Sequence, residues 1–137
     1  MSHSKKELEI TLRIDWSDLD YYAHVNNLSI ARYMQSARVN FWELSGLAHS
    51  YQKHNKGPIL VNTESSFKKA LHYPGTVTIK TKVAKIGRSS FALEHLLYNS
   101  TGELCTTSID TVVFFDFTAQ KSLSIPEQIR KIMNDYS

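Results

Sequence analysis

The sequence predicts an α+β protein in which one long central helix packs against a five-stranded antiparallel sheet. Three features carry this expectation. Residues 8–16 alternate strictly between apolar and polar side chains. A single helical period then runs from Asn26 to Gly46, and the rest of the chain is mostly alternating segments joined by short turns. Strands linked by short turns run antiparallel, and one helix laid on one face of such a sheet makes a stable two-layer arrangement. At 137 residues the chain forms one domain, 1–137.

In LEITLRIDW, Leu8, Ile10, Leu12, Ile14 and Trp16 share one side and Glu9, Thr11, Arg13 and Asp15 the other, which predicts a half-buried strand. In the helix, Ile30, Tyr33, Met34, Ala37, Phe41 and Leu44 form one stripe, and Leu28, Ala31 and Trp42 widen it, so the helix should be heavily buried. Asn26 or Asn27 supplies the N-cap and Gly46 the stop. Residues 47–57 read as a frayed continuation and then a loop ending at Gly57-Pro58. Strands follow over 59–71, Thr76 to Ile86, Ser90 to Tyr98, and 103–117, with turns at Tyr73-Pro74-Gly75, Gly87 and Asn99 to Gly102. Pro126 opens a short helix over 126–135. The late strands carry apolar residues at both parities, most plainly in VVFFDF. One helix covers one face only, so the sheet is expected to be completed by dimerisation, as a homodimer or a dimer of dimers.

Composition narrows the function. The net charge is +3 with a pI near 9, which favours an anionic ligand over a cationic one, and no Lys/Arg run is dense enough to call for nucleic acid. No run is long enough for a membrane span. The opening MSHSKKELEI has lysines but no apolar stretch behind them, so no signal peptide is expected, and the setting reads as cytoplasmic. Cys105 is the single cysteine, which excludes an internal disulfide and a cysteine metal cluster; it reads as a packed core thiol. No metal-ligand spacing is present, and no cofactor is expected.

The stretch SDLDYYAHVNN, residues 17–27, crowds two carboxylates, a histidine and two carboxamides before the long helix. Each has an ordinary structural role open to it. Asp18 reads as a turn residue whose loss would cost about 1 kcal/mol, and the asparagines as caps. Jointly they allow chemistry. A helix N-terminus offers unpaired N–H groups and a partial positive charge to an oxygen that becomes negative during reaction. A carboxylate just upstream, Asp20, can attack a carbonyl or activate water beside it, and His24 is near enough to orient it.

The segment WSDLDYYAHVNNLSIARYMQSAR resembles the signature of hotdog-fold thioesterases of the 4-hydroxybenzoyl-CoA thioesterase-like group, in which an aspartate pair precedes H-V-N-N and a helix. Its WSDLD and HVNN pieces are also similar to plant acyl-ACP thioesterases. KIGRSSF, YNSTGEL and SIP resemble later parts of the family pattern. The resemblance implies a hotdog fold and hydrolysis of acyl-CoA or acyl carrier protein thioesters. It makes Asp20 the nucleophile or general base and the backbone N–H near Asn27 the oxyanion donor, with His24 and Asn26 lining the site. Arg88 matches a position that contacts CoA phosphates in some relatives, Lys85 lies beside it, and Tyr22 stands where the plant enzymes carry an asparagine; all three are assigned to substrate or CoA binding. Gln35 replaces the family's helix glutamate, so a role needing a second carboxylate stays open. His72 and His95 read as structural, and Glu64 and Asp110 as site-lining or interface groups. Two further classes also stay open: a hydratase or dehydratase on acyl thioesters, and a non-catalytic acyl-thioester binder.

Overall fold

The structure is a computed structural model that describes residues 5–137; the first four residues of the N-terminal segment lie outside the described residues. β1 (Leu8–Arg13) is followed by a 3-10 turn, Trp16–Asp18, and then by α1 (Asn27–Ser45) and α2 (Leu47–His54). Next come β2 (Lys56–Phe67), β3 (Thr76–Ile86), β4 (Ser90–Tyr98), β5 (Leu104–Asp116), the two-residue β6 (Lys121–Ser122) and α3 (Glu127–Asp135). The strands form one antiparallel sheet in the order β1-β3-β4-β5-β2, with β6 paired to β5. The sheet curls around α1, as expected of a hotdog fold. No helix among the described residues is long and apolar enough to cross a membrane.

Three expectations need correction. The first strand ends at Arg13 instead of Trp16, because Asp15 caps the 3-10 turn and Trp16 is left 71% exposed. Residues 47–54 are a regular helix, not a frayed end. Gly46 takes a left-handed backbone (φ 91°) that closes α1 and redirects the chain, and Leu47 anchors α2 in the core. The third concerns burial of the long helix. Its inner stripe is buried, but Leu28 and Ala31 are exposed, because α1 packs toward β1 and β3 and leaves β2 uncovered.

The core has two apolar halves. Ile30, Tyr33, Met34 and Ala37 pack with Ile14, Val77, Ile79 and Leu97, while Phe41 packs with Val83, Phe91, Leu93, Val112 and the inner face of α3. Between them the strands carry Thr81, His95 and Asp110, all buried. The Asp110 carboxylate accepts hydrogen bonds from Arg38 Nε at 2.9 Å and Thr63 Oγ1 at 2.8 Å, and lies 2.7 Å from His95 Nε2. His95 Nδ1 is 2.7 Å from Thr81 Oγ1. A buried ion pair with all its partners in place fixes which side chains meet, and removing one partner is costly.

A second polar knot joins β1 to α1. Asp18 is 4% exposed, and its carboxylate accepts from the Tyr33 hydroxyl at 2.6 Å, from the Asp15 N–H at 3.0 Å, and from Arg32. Its carbonyl accepts from Asn26 N–H at 2.9 Å and Ser29 Oγ at 3.2 Å. The residue read as a turn aspartate therefore clamps the helix entry. Asp18→Ala strands the buried Tyr33 hydroxyl and the Asp15 N–H, so about 2–3 kcal/mol should be lost in urea unfolding instead of about 1 kcal/mol.

Asp110 makes stability pH-dependent. Burial pushes its carboxyl up, but the bonds from His95 and Arg38 outweigh this and bring it down to about 2. A depressed folded pKa gives stability that is complete above the unfolded value, near ~3.9, and is lost as pH falls through the folded one. Asp110→Asn should therefore be less stable than wild type by at least about 2 kcal/mol at neutral pH. The gap should narrow between about pH 4 and pH 2 in denaturation series.

Candidate active site

The loop between the 3-10 turn and α1 is a tight hairpin closed by a Leu19–Val25 bridge. Asp20 N–H donates to the His24 carbonyl at 2.7 Å, and Asp20 Oδ1 accepts from the N–H groups of Tyr22 at 2.8 Å and His24 at 3.2 Å. Ala23 takes a left-handed backbone (φ 61°), unfavourable for a side chain with a Cβ, so the Asp20 bonds hold the turn against its own preference. Asp20 is thus a turn residue through Oδ1. Oδ2 has no hydrogen-bond partner among the described residues.

Asn26 is the N-cap of α1. Its side-chain oxygen accepts from Leu28 N–H at 2.9 Å, and its carbonyl from the N–H groups of Ser29 and Ile30. These bonds satisfy three of the first four donors of the helix and leave the Asn27 N–H without a partner among the described residues. Asn27 and Asp20 line one cleft of about 370 Å³, together with His24, Val25, Ile30, Phe67, Lys68 and Leu71. The His24 ring meets His72 edge-on, with centroids 5.0 Å apart.

The far wall comes from the segment after β2. Val25 N–H donates to the Leu71 carbonyl at 3.0 Å, and the N–H groups of Lys68 and Lys69 both donate to the Cys105 carbonyl. Cys105 is the unpaired residue of a bulge opposite Leu97 and Tyr98, and its thiol is buried. Sequence reading missed Phe67, Lys68 and Leu71 as cleft residues. The available signal was the basic pair in FKKAL at the end of an amphipathic strand. Lys69 is paired with Glu103, which pulls the ammonium's pKa up; Lys68 has no ion-pair partner within the ion-pair distance among the described residues.

The structure therefore brings together Asp20, His24 and Asn27, with Asn26 fixing the helix entry. Tyr22 does not join them; it is 75% exposed and packs edge-on against Tyr21. Gln35 lies in a separate surface depression with Arg32, Ser36 and Glu43. Arg88 lies in a second cleft with His54, Lys56, Lys121 and Ser124, where its Nε donates to Ser124 Oγ at 2.9 Å. Lys85 is exposed at an irregularity of β3 and does not line that cleft. Within the chain the two clefts lie toward opposite ends of the strands. Phe67 pairs with position 106 of β5 and Ser90 with position 113, a separation along the strand of about 23 Å.

Comparison with known proteins agrees with this fold. Over 125 residues the chain is 22% identical to the long-chain acyl-CoA thioesterase FadM of Escherichia coli (strain K12), spanning 90% of this chain and 95% of that protein. Among solved structures, the PA2801 protein of Pseudomonas aeruginosa superposes with a TM-score of 0.83 at 25% identity, covering 93% of this chain and 99% of its own. The SAV2348 protein of Staphylococcus aureus, solved in complex with CoA, reaches a TM-score of 0.92 at 13% identity, covering 99% of this chain and 87% of its own. The family model described as the thioesterase-like superfamily matches residues 14–133, nearly the whole chain, and the protein belongs to that superfamily.

Proposed function

We propose that the protein hydrolyses acyl-CoA thioesters to the free acid and CoA, with Asp20 as the reacting carboxylate and the Asn27 N–H as the oxyanion donor. The observation that carries this reading is that one cleft is lined by both Asp20, whose Oδ2 accepts no hydrogen bond, and Asn27, whose N–H donates none, among the described residues. With the thioester carbonyl oxygen on that N–H, charge developing on it is met by a fixed donor and the positive end of the helix. As general base, Oδ2 takes a proton from water while the water oxygen bonds to the carbonyl carbon. The C–S bond then breaks, and the thiolate leaves and recovers a proton. As nucleophile, Oδ2 bonds to the carbon directly and expels the thiolate, and water then cleaves the resulting anhydride. His24 and Asn26 position these groups, and neither course needs a carboxylate at Gln35.

Substitution separates chemistry from turn formation. Asp20→Asn keeps an oxygen that can accept from Tyr22 and His24 but has no carboxylate, whereas Asp20→Ala also loosens the loop. Both should lower kcat at least ~10²-fold, with a larger drop in melting temperature for alanine. His24→Ala should cost less than either. Wild-type turnover by folded Asp20→Asn, in a thiol-release assay across acyl-CoA lengths, would reduce the motif to a capped turn. Hydration of an enoyl thioester without thiol release would favour a hydratase, and binding without turnover a carrier.

The basic cleft around Arg88 suits the phosphates of CoA, with Lys56 and Lys121 adding charge there. Within one chain it lies toward the opposite end of the strands from the Asp20 cleft, so a thioester bound in cis would have to stretch along the sheet. Homodimerisation through the bare edge of β2 resolves this, because antiparallel pairing brings the Lys56 end of one copy beside the Phe67 end of the other. Exposed Leu60, Val61, Phe67 and Leu28 support such a contact. Arg88→Glu should raise KM for acyl-CoA with little change in kcat. Mixed with Asp20→Ala, it should recover activity, since one shared site in each mixed dimer is intact. Absence of recovery in dimers shown to be mixed would place both clefts in cis, and an unchanged KM would point to a carrier-protein thioester.

A further inference from the structure

The helix-facing side of the sheet changes character toward β2. On β3 and β4 that face carries the fully buried apolar Val77, Ile79, Leu93 and Leu97, interrupted by one buried polar pair, Thr81 and His95. On β5 it carries Thr106, Ser108 and Asp110, each at most 1% exposed. Their register partners on β2 are Phe67, Ser65 and Thr63, which α1 leaves exposed. Ser65 Oγ lies 3.1 Å from Ser108 Oγ, and Thr63 Oγ1 donates to Asp110 at 2.8 Å. Thr106 Oγ1, opposite Phe67, is buried with no hydrogen-bond partner among the described residues. Hydroxyls on an exposed edge strand are unremarkable by themselves. Here they continue a buried polar floor that is expensive to keep, and the row begins at Phe67, which lines the Asp20 cleft.

We propose that this row, led by Ser65 and Thr63, is the floor of the acyl subsite, and that it selects acyl chains bearing a hydroxyl or oxo group over unsubstituted ones. The proposal rests on the thioesterase reading above. Successive side chains on this face are about 6–7 Å apart, so a chain leaving Asp20 past Phe67 meets Ser65 and then Thr63. An aliphatic tail there would cover hydroxyls and strip them of water without replacing its hydrogen bonds, whereas an oxygen-bearing tail supplies them. A site built to hydrogen-bond its substrate discriminates strongly against the analogue that lacks the group.

The test compares acyl-CoAs of six to ten carbons in matched sets: unsubstituted, 3-hydroxy, 3-oxo and ω-hydroxy. The readouts are kcat/KM and, with non-hydrolysable thioether analogues of the same sets, Kd. The expected result is a preference of at least about tenfold for an oxygen-bearing member over its unsubstituted partner. Ser65→Ala should shrink that preference, read as the ratio of kcat/KM for each oxygen-bearing chain to that for its unsubstituted partner. Thr106→Val, which removes a buried hydroxyl at constant shape beneath that row, should leave melting temperature unchanged or higher and the preference unmoved. Equal or better use of unsubstituted chains, or a preference that Ser65→Ala does not move, overturns the proposal. If no thioester is hydrolysed, the thioesterase reading fails; the thioether affinities then decide the subsite alone, equal Kd values across each set rejecting it.

Discussion

Everything at the candidate site depends on the burial of one carboxylate that takes no part in the proposed chemistry. Asp18 ties the end of β1 to the first turns of α1 through Tyr33, Arg32, Asn26 and Ser29. Burial raises the cost of its charge, and the surrounding donors more than offset it, so the carboxyl sits below its usual range. The same contact and burial push the Tyr33 hydroxyl's pKa up, keeping it protonated as a donor. With both ends of the loop pinned, the residues between have little freedom. Within that frame the Asp20 bonds hold Ala23 in a left-handed turn, and Asp20 lines the cleft beside the start of the helix.

The two aspartates illustrate how environment divides labour among identical side chains. Asp18 has a partner on each oxygen and is shielded from solvent, which suits it to structure and disqualifies it as a base. Asp20 commits one oxygen to its turn, leaves the other without a hydrogen-bond partner among the described residues, and lines a cleft. Asp110 resembles Asp18, but it lies in mid-sheet, where Arg38 and His95 converge on it. Its layer divides the apolar core in two and merges with the hydroxyl row on β2. Fold specification and proposed acyl recognition therefore share one set of polar groups.

The sequence by itself determined the fold class, because periodicity 2 and periodicity 3.6 are imposed by backbone geometry and are read directly from residue order. The long helix, its Asn26 cap and Gly46 stop, and the strands from Thr76 to Tyr98 all follow from that. The motif was legible too, since Asp20, His24 and Asn27 lie within eight positions and a local turn must keep them close. Only the tertiary structure decided the rest. The first strand lost Trp16 to a cap made by Asp15 and Asp18, a competition between local hydrogen bonds and strand pairing that periodicity does not register. Asp18 and Asp20 look alike in sequence, and their roles differ because Tyr33 and Arg32 reach back one of them and not the other. The separation of Arg88 from Asp20, and the joining of Phe67 and Lys68 to the cleft, depend on strand order and on which end of each strand meets which loop. Those are long-range relations, set by how the sheet closes around the helix, and no local pattern of residues encodes them.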